Sequence, residues 1–435
     1  MNTRRLINAS LLIAVFFGVD KLVGLARQVL VARYFGLNPV LDAYITANNI
    51  PDLLFALISG GALTIAFIPV LSETLTREGQ PALWRLFSLV ANLAFVVTAI
   101  CAALLALNPL LLVRLILAPG FAPPQQSLVA GLMRLNLIAT LIFSISGLST
   151  GALQAQQHFL LPAIAPVLYN LGQIVGVTVL SPRLGIYGLS YGVILGALLH
   201  LAIQVPGLLR YHFQWTPRLT VSDPGVRRVL RLMGPRVLTL GLINLVFTAT
   251  DNLASHLGTG AVSALAYGWL ILQLPETVIG TAAGTALLPT LSEHVARGET
   301  AELKRLLRRT ILILLLLTVP ATLASEVLVR PAVKLIFEGR AFTAANSELV
   351  ILAARLFLAG LVGQCLVEVA ARTFYAYQDA RTPLVLAAIT LGLFLALGVA
   401  LSSRMGFAGL ALANSLAFSV EAGLMLVILY RRRII

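Results

Sequence analysis

The chain has 435 residues, of which 59% are hydrophobic and only 11% are charged. This composition excludes an ordinary soluble globular protein, whose surface needs more charge, and indicates an α-helical membrane protein. The net charge of +14 does not indicate nucleic-acid binding, because the basic residues fall in short gaps between apolar stretches, where they set membrane topology.

The first apolar stretch follows Arg4 and Arg5, an arrangement that also begins secretory signal peptides. The charged residues Asp20, Lys21 and Arg27 continue this segment, and no small-residue cleavage site follows it cleanly. We therefore predict a first transmembrane helix with a polar face rather than a signal peptide.

Further apolar stretches succeed one another to the end of the chain, each suited to the roughly 20 residues that cross a bilayer. Together with the first stretch they predict about twelve transmembrane helices. The predicted helices lie at 6–34, 40–72, 84–113, 127–155, 159–181, 185–209, 227–255, 260–292, 304–329, 346–377, 381–402 and 406–430.

Positive charge is concentrated in every second loop between the predicted helices, and both ends of the chain carry it as well. Because basic loops stay in the cytoplasm, we predict a multi-pass protein of the inner (cytoplasmic) membrane with both termini cytoplasmic. Two of the basic segments, 210–231 and 293–309, are amphipathic and could bind anionic lipid head groups, although ordinary cytoplasmic loops would look the same.

The two halves of the chain repeat each other at a nearly fixed offset. Residues 69–73 (Pro-Val-Leu-Ser-Glu) recur as 289–293 (Pro-Thr-Leu-Ser-Glu), and the pair Gly185 and Gly188 recurs as Gly406 and Gly409. With six helices in each half, both halves enter the membrane from the same side. We predict an all-α membrane protein of two parallel six-helix lobes, 1–214 and 215–435, around a central cavity.

The first helix carries the charges that most need explanation. Asp20, Gly24 and Arg27 share one helix face, and a charge at the membrane centre costs about 2.5–3.5 kcal/mol, so these groups require a partner or a cavity. We predict that Arg27 and Lys21 bind an anion such as phosphate. The alternative is a structural pair between Asp20 and Arg27.

The second and eighth helices combine prolines and glycines that can bend a helix. We predict that the second helix lines the cavity with Asp42 and Asp52. The predicted gate and hinge residues are Gly24, Pro51, Gly60, Gly61, Pro275, Gly280 and Gly284. Close helix packing through small residues is the alternative interpretation of these glycines.

No catalytic, metal-binding or nucleotide-binding motif occurs in the sequence. The expectation is therefore a transporter and not an enzyme, without a cofactor. Two energy sources stay open. One is a coupled Na⁺ or H⁺ ion, for which Asp251 or Glu276 is a candidate site, and the other is the membrane potential.

Several ordered motifs resemble those of the MviN/MurJ family of lipid II flippases in the multidrug/oligosaccharidyl-lipid/polysaccharide exporter superfamily. They extend over essentially the whole chain and comprise Leu25–Gly36, Asp42–Tyr44, Ile50–Leu54, Gly61–Leu63, Ala66–Glu73, Ala118–Phe121, Pro162–Pro166 with Asn170, Gly284–Ser292, and Phe374–Asp379 with Thr382 and Pro383.

The resemblance implies two six-helix lobes around a cationic cavity. It also implies a flippase that moves a lipid-linked peptidoglycan precursor from the inner to the outer leaflet during cell wall synthesis. The expected partners are a lipid-linked glycan and membrane lipids, and the expected state is a monomer. Arg27 and Asp42 match a cavity arginine and an acid of the family.

Some positions depart from the family pattern. Lys21 stands where an arginine is usual, and Phe55 and Leu270 stand where two further cavity arginines are expected. Gly60 and Gln273 replace acids, and the resemblance does not include the two additional C-terminal helices that many members have. The alternatives are therefore a flippase for another lipid-linked polysaccharide, a drug/cation antiporter of the same superfamily, and a scaffold that has lost transport. A membrane glycosyltransferase fits these short, acid-poor loops poorly.

Overall fold

A computed structural model describes residues 3–60 and 62–435, and helices account for most of this backbone. Within these ranges, β-structure is limited to an isolated bridge between Gly339 and Phe342. The α-helices are α1 (Thr3–Phe35), α2 (Pro39–Leu54), α3 (Ala62–Glu78), α4 (Gln80–Leu107), α5 (Pro109–Leu112), α6 (Pro123–Ala155), α7 (Leu160–Val175), α8 (Ser181–Leu184), α9 (Tyr187–Ala202), α10 (Val205–Arg210), α11 (Pro224–Ala254), α12 (Ala261–Glu276), α13 (Ala282–Arg297), α14 (Thr300–Phe337), α15 (Ala344–Leu358), α16 (Leu361–Ala376), α17 (Arg381–Met405) and α18 (Phe407–Arg431).

Short π-helical segments interrupt this series, at Phe55–Gly60, Val113–Leu117, Gly176–Leu180 and Thr277–Thr281. The first of them follows Pro51, and the last follows Pro275. A proline lacks the backbone N–H that an α-helix needs, so the hydrogen-bond ladder is already broken near these two segments. The predicted second and eighth helices, which the sequence marks as bent, thus both change their winding, as do the segments at Val113–Leu117 and Gly176–Leu180.

The all-helical membrane class is confirmed. Among the described residues, eight helices are long and apolar enough to cross a membrane, or nine if α15 and α16, which meet at a bend of 47°, count as one. Each predicted span overlaps a helical segment, including 6–34 in α1 and 227–255 in α11. The count of twelve and the cytoplasmic termini stay predictions.

The first compact unit contains the described part of Met1–Phe35 together with Ala43–Leu117 and Ala122–Asn244. Trp84, Phe67 and Phe87 are at the centre of one of its buried apolar clusters. The segment that follows α10 runs beside α4, because Gln80 and Trp84 both donate to the carbonyl of Tyr211, at 2.6 and 2.8 Å.

The second compact unit contains Gly36–Asp42, Ala118–Phe121 and Leu245–Ile435. Gly36 has φ +67°, and a Cβ there would lie 2.4 Å from the carbonyl oxygen of Ala341, so only glycine fits this approach. Both units are assembled from separated stretches of chain, and the predicted division at 214/215 stays a prediction.

The repeat is visible in the backbone. Three pairs of residues in the left-handed region keep the offset that relates Gly185 to Gly406 in the sequence: Gln157 and Gln378 (φ 61° and 59°), Gly185 and Gly406 (58° and 59°), and His212 and Arg433 (53° and 58°). The turn hydrogen bonds repeat as well, since the N–H of Gly185 donates to Ser181 as that of Gly406 donates to Ser402, both at 2.9 Å. The two halves therefore turn at equivalent positions.

Candidate functional site

Arg27 of α1 is the centre of the candidate site in the first unit. Its side chain is half-buried, and its charge interacts with Asp52 and Tyr44 of α2 and with Tyr169 of α7. Among the described residues, no carboxylate lies within 4.0 Å of the Arg27 guanidinium, although carboxylates pair with several other arginines. Arg27 thus keeps hydrogen-bond donors for a ligand.

Helix geometry brings Asp52 and Tyr44 together. Tyr44, Asn48 and Asp52 recur at intervals of four residues, so they lie along one face of α2. Asn48 fixes this face, because its side-chain oxygen accepts a 2.9 Å hydrogen bond from Asn136 of α6. The Asp52 side chain is exposed, and it therefore stays available to a ligand as an acceptor.

Asp20 pairs with an amide and not with Arg27. Its carboxylate accepts a 2.8 Å hydrogen bond from the side chain of Asn170 on α7. Gly24, one turn further along α1, faces the same Asn170 side chain, which a Cβ would contact at 3.6 Å. The alternative of a structural Asp20–Arg27 ion pair is therefore not what the structure shows, and Asp20 helps to join α1 to α7.

Lys21 lies apart from the Arg27 environment. Its side chain is exposed, and its ammonium group stands 5.2 Å from the centre of the Phe17 ring. Arg27 lies six positions after Lys21, which places them about 120° apart around the helix. The structure places Arg27 where its charge interacts with Asp52. Phosphate binding by Lys21 together with Arg27 stays a prediction.

Asp42 has a structural role in the second unit. It is 1% exposed, and its carboxylate accepts hydrogen bonds from the backbone N–H groups of Gly260 at 2.7 Å and Ser263 at 2.8 Å, and from the Ser263 hydroxyl. These donors belong to the first turn of α12, whose N-terminus favours a negative charge. Ser263 follows Asp42 at the repeat offset and so stands at the equivalent position of the second half. Substrate binding by Asp42 stays a prediction.

Phe55, at a position where the resemblance expects an arginine, opens the π-helical segment after Pro51. Its ring packs edge-on against Phe143 at 4.9 Å, and Phe143 packs in turn against Tyr169 at 5.1 Å. An aromatic cluster therefore occupies this place. Gly60 ends the same segment, and Gly61 lies outside the described residues.

The glycines near Pro275 pack closely against α16. A Cβ on Gly280 would come within 2.9 Å of the Cys365 sulfur, and one on Gly284 would lie 3.3 Å from Cγ of Arg372. These contacts support the packing interpretation. A role as gate or hinge stays a prediction for Gly280 and Gly284, as it does for Gly24, Pro51, Gly60 and Pro275.

The charged groups Glu276, Glu368 and Arg372, which lie near these glycines, have partners. Glu276 accepts a 2.9 Å hydrogen bond from the Thr281 hydroxyl, and Arg372 pairs with Glu368 at 3.0 Å. In the part of the chain that the structure describes, no three His, Cys, Asp or Glu residues are grouped so that they could hold a metal ion.

Sequence reasoning missed Tyr44 and Tyr169 as members of the site. The four-residue spacing of Tyr44, Asn48 and Asp52 could have revealed the first, because it marks one helix face. Tyr169 is far from Arg27 in the sequence and becomes its neighbour only through the packing of α7 on α1.

The sequence matches the model of one protein family, described as lipid II flippase MurJ, over residues 31–435. A lipid II flippase MurJ of Burkholderia cenocepacia is 31% identical over 390 residues, which cover 88% of this chain and 75% of the relative. A probable lipid II flippase MurJ of Rhizobium tropici is 30% identical over 420 residues, covering 95% of this chain and 79% of the relative.

Solved structures show the same fold. A lipid II flippase MurJ in an inward closed conformation superposes with a TM-score of 0.83 at 21% identity, over 98% of this chain and 89% of that chain. An inward-facing multidrug resistance MATE family transporter of the MOP superfamily reaches 0.79 at 15% identity, over 95% of this chain and 94% of that chain.

Proposed function

Because the chain belongs to the lipid II flippase MurJ family, we propose that it moves lipid II, a polyprenyl-pyrophosphate-linked peptidoglycan precursor, from the inner to the outer leaflet by alternating access. The family model covers residues 31–435, and two curated relatives share 30–31% identity with most of the chain. Members of this family are transporters and not catalytic enzymes, and the chain has the apolar helices of a multi-pass membrane protein.

The observation that carries the site is that no carboxylate among the described residues lies within 4.0 Å of the Arg27 guanidinium in the first unit. An arginine in a transmembrane helix is costly unless a partner or water reaches it, and the described residues supply no ion pair for it. A pyrophosphate is a fitting ligand, because a guanidinium donates two parallel hydrogen bonds to phosphate oxygens. We propose that Arg27 binds the pyrophosphate.

Asp52 and Tyr44 complete this proposal. They share the electrostatic environment of Arg27, and the exposed Asp52 carboxylate can accept hydrogen bonds from the sugar hydroxyl or peptide N–H groups of the head group. Arg27 would bind the pyrophosphate, and Asp52 beside it would accept hydrogen bonds from the sugar or peptide. This pair suits a substrate that carries a pyrophosphate together with a sugar-peptide head group.

Conformational change would use the broken helices. The π-helical segments after Pro51 and Pro275 leave backbone groups that are not committed to regular α-helical bonding, so bending there costs little. We expect the protein to work as a monomer in the inner membrane with cytoplasmic termini. Imposed gradients of Na⁺, of H⁺ and of voltage would identify the energy source.

Complementation tests this function. We expect the wild-type gene to restore growth and rod shape to bacteria depleted of their own lipid II flippase, and Arg27→Ala to fail at equal membrane abundance. Arg404→Ala is the control, since it removes another arginine that has no ion pair in residues 3–60 and 62–435, at an exposed position. Rescue by Arg27→Ala would contradict the proposed site, and failure of the wild type would contradict the function.

A further inference from the structure

An apolar groove runs between α13 and α14 in the second unit. It has a volume of about 300 Å³. Its lining is almost entirely aliphatic and consists of Ile279, Ala283, Ala286, Leu287, Thr290, Leu306, Thr310, Ile313, Leu314 and Leu317. The groove is open, since Ile313 and Leu317 are 46% and 54% exposed. In the most apolar 18-residue stretch of α14, only 11% of the residues are buried inside the protein. This helix therefore faces the hydrocarbon of the membrane.

The length of the groove matches one leaflet. The lining extends from Leu306 to Leu317 on α14 and from Ile279 to Thr290 on the π-helical segment and α13. Eleven residues of helix rise about 16 Å, which is about half of the hydrocarbon thickness of a bilayer. The groove can therefore hold a lipid chain that begins at one membrane surface and ends near the midplane.

One end of the groove is cationic. Arg308 and Arg309 precede Thr310 directly, and both side chains are exposed. Neither pairs with a carboxylate in residues 3–60 and 62–435, whereas Arg305 bonds to both carboxylate oxygens of Glu302, at 2.9 and 3.1 Å. Arg309 lies three residues after Leu306 and four before Ile313, so it shares the helix face that lines the groove.

We propose that this groove is a binding site for an anionic phospholipid. One acyl chain lies between α13 and α14, and the head-group phosphate meets Arg309, with Arg308 beside it. The two guanidinium groups, which pair with no carboxylate among the described residues, favour an anionic head group over a zwitterionic one. A polyprenyl chain fits less well, because its length exceeds the single leaflet that the groove spans.

Arg27 is not among the residues that line this site, and the proposal does not depend on the proposed transport function. Its role would be to hold α13 against α14 at the membrane surface. The two helices are already joined by the short turn at Gly298 and Glu299. A lipid wedged between them would stabilise the described arrangement of this hairpin.

Native mass spectrometry of the full-length protein tests the proposal, with phosphatidylglycerol, phosphatidylcholine and undecaprenyl phosphate as separate probes. We expect retention of one phosphatidylglycerol, and the double variant Arg308→Gln/Arg309→Gln should weaken this binding by about tenfold. Arg183→Gln/Arg404→Gln removes the same charge from two exposed positions outside both basic amphipathic segments and should leave it unchanged.

A second pair of variants tests the groove itself at constant charge. Ala286→Phe fills the groove from an exposed position and should abolish retention of phosphatidylglycerol, whereas Ala296→Phe places the same ring outside the lining and should not. Equal binding of phosphatidylcholine, preferential binding of undecaprenyl phosphate, or unchanged binding in both Arg308→Gln/Arg309→Gln and Ala286→Phe would overturn the proposal.

Discussion

Arg27 in the first compact unit and Asp42 in the second hold their charges in different ways. In the first unit, Arg27 is half-buried without an ion pair among the described residues, and Asp52 beside it is exposed. In the second unit, Asp42 is saturated with hydrogen bonds, and Arg372 and Arg432 are paired with acids. A charged group whose hydrogen bonds are all made within the protein stabilises the fold, and a charged group that keeps free donors or acceptors is available to a ligand. The substrate site is therefore sought at Arg27.

A second difference between the two halves occurs at equivalent turns of the repeat, where a ring contact in one half is replaced by an ion pair in the other. In the first half, the rings of His158 and Tyr211 pack edge-on at 5.9 Å. At the equivalent positions of the second half, Asp379 and Arg432 form an ion pair at 2.6 Å. The backbone turns in the same way in both halves, since the residues that precede His158 and Asp379 share a positive φ. Two chemistries thus stabilise one geometry.

The largest effect on stability is expected at Asp42. Asp42→Ala would leave two buried N–H groups and a hydroxyl of the first turn of α12 without an acceptor, at a cost of about 3 kcal/mol. Thermal unfolding of the purified protein should show a clearly lower Tm. An unchanged Tm combined with lost transport would instead make Asp42 a substrate ligand and would break the comparison.

A smaller effect is expected at Asp379. Burial raises the pKa of Asp379, but hydrogen bonds from Thr382 and Arg432 outweigh burial and bring its pKa down to about 2. Its folded-state pKa is thus below its unfolded value, so its stabilisation is present above about pH 4 and is lost as the pH falls toward 2.

Asp379→Asn should therefore cost about 1 kcal/mol at pH 7, a value that allows for the partly exposed Arg432. The difference in Tm from the wild type should shrink toward pH 2 and in high salt. A difference that does not vary with pH would show that the ionised carboxylate is not the cause.

The smallest effect is expected at the equivalent turn of the first half. Tyr211→Leu removes the ring contact with His158 but keeps the carbonyl that accepts from Gln80 and Trp84, so it should cost about 0.5–1 kcal/mol. The loss should be the same in low and high salt, because no ion pair is involved. Salt dependence equal to that of Asp379→Asn would remove the distinction between the halves.

The helical membrane fold could be predicted from the sequence because apolar runs of bilayer length need no tertiary information. Arg27 could be selected as a candidate for a related reason, since a cation inside such a run requires a partner or a cavity, and its role in substrate binding stays a prediction. The offset between the two repeated halves could also be found in the sequence, and the same offset relates Gln157 to Gln378, which both have a positive φ.

The partner of Asp42 could not be predicted, because Gly260 and Ser263 lie in the other half of the sequence and meet it only through tertiary packing. The Asp20–Asn170 bond is hidden in the same way. The sequence shows which side chains carry charge, and it does not show which of them the fold saturates.

Binding of lipid II to the purified protein tests the central claim most directly. Wild-type protein and Arg404→Ala should bind lipid II with equal affinity, and Arg27→Ala should bind it about tenfold more weakly or worse, since a charged hydrogen-bond donor to the pyrophosphate is lost. Equal lipid II affinity for Arg27→Ala and wild type, with both proteins folded, would contradict the assignment of Arg27 as the pyrophosphate ligand.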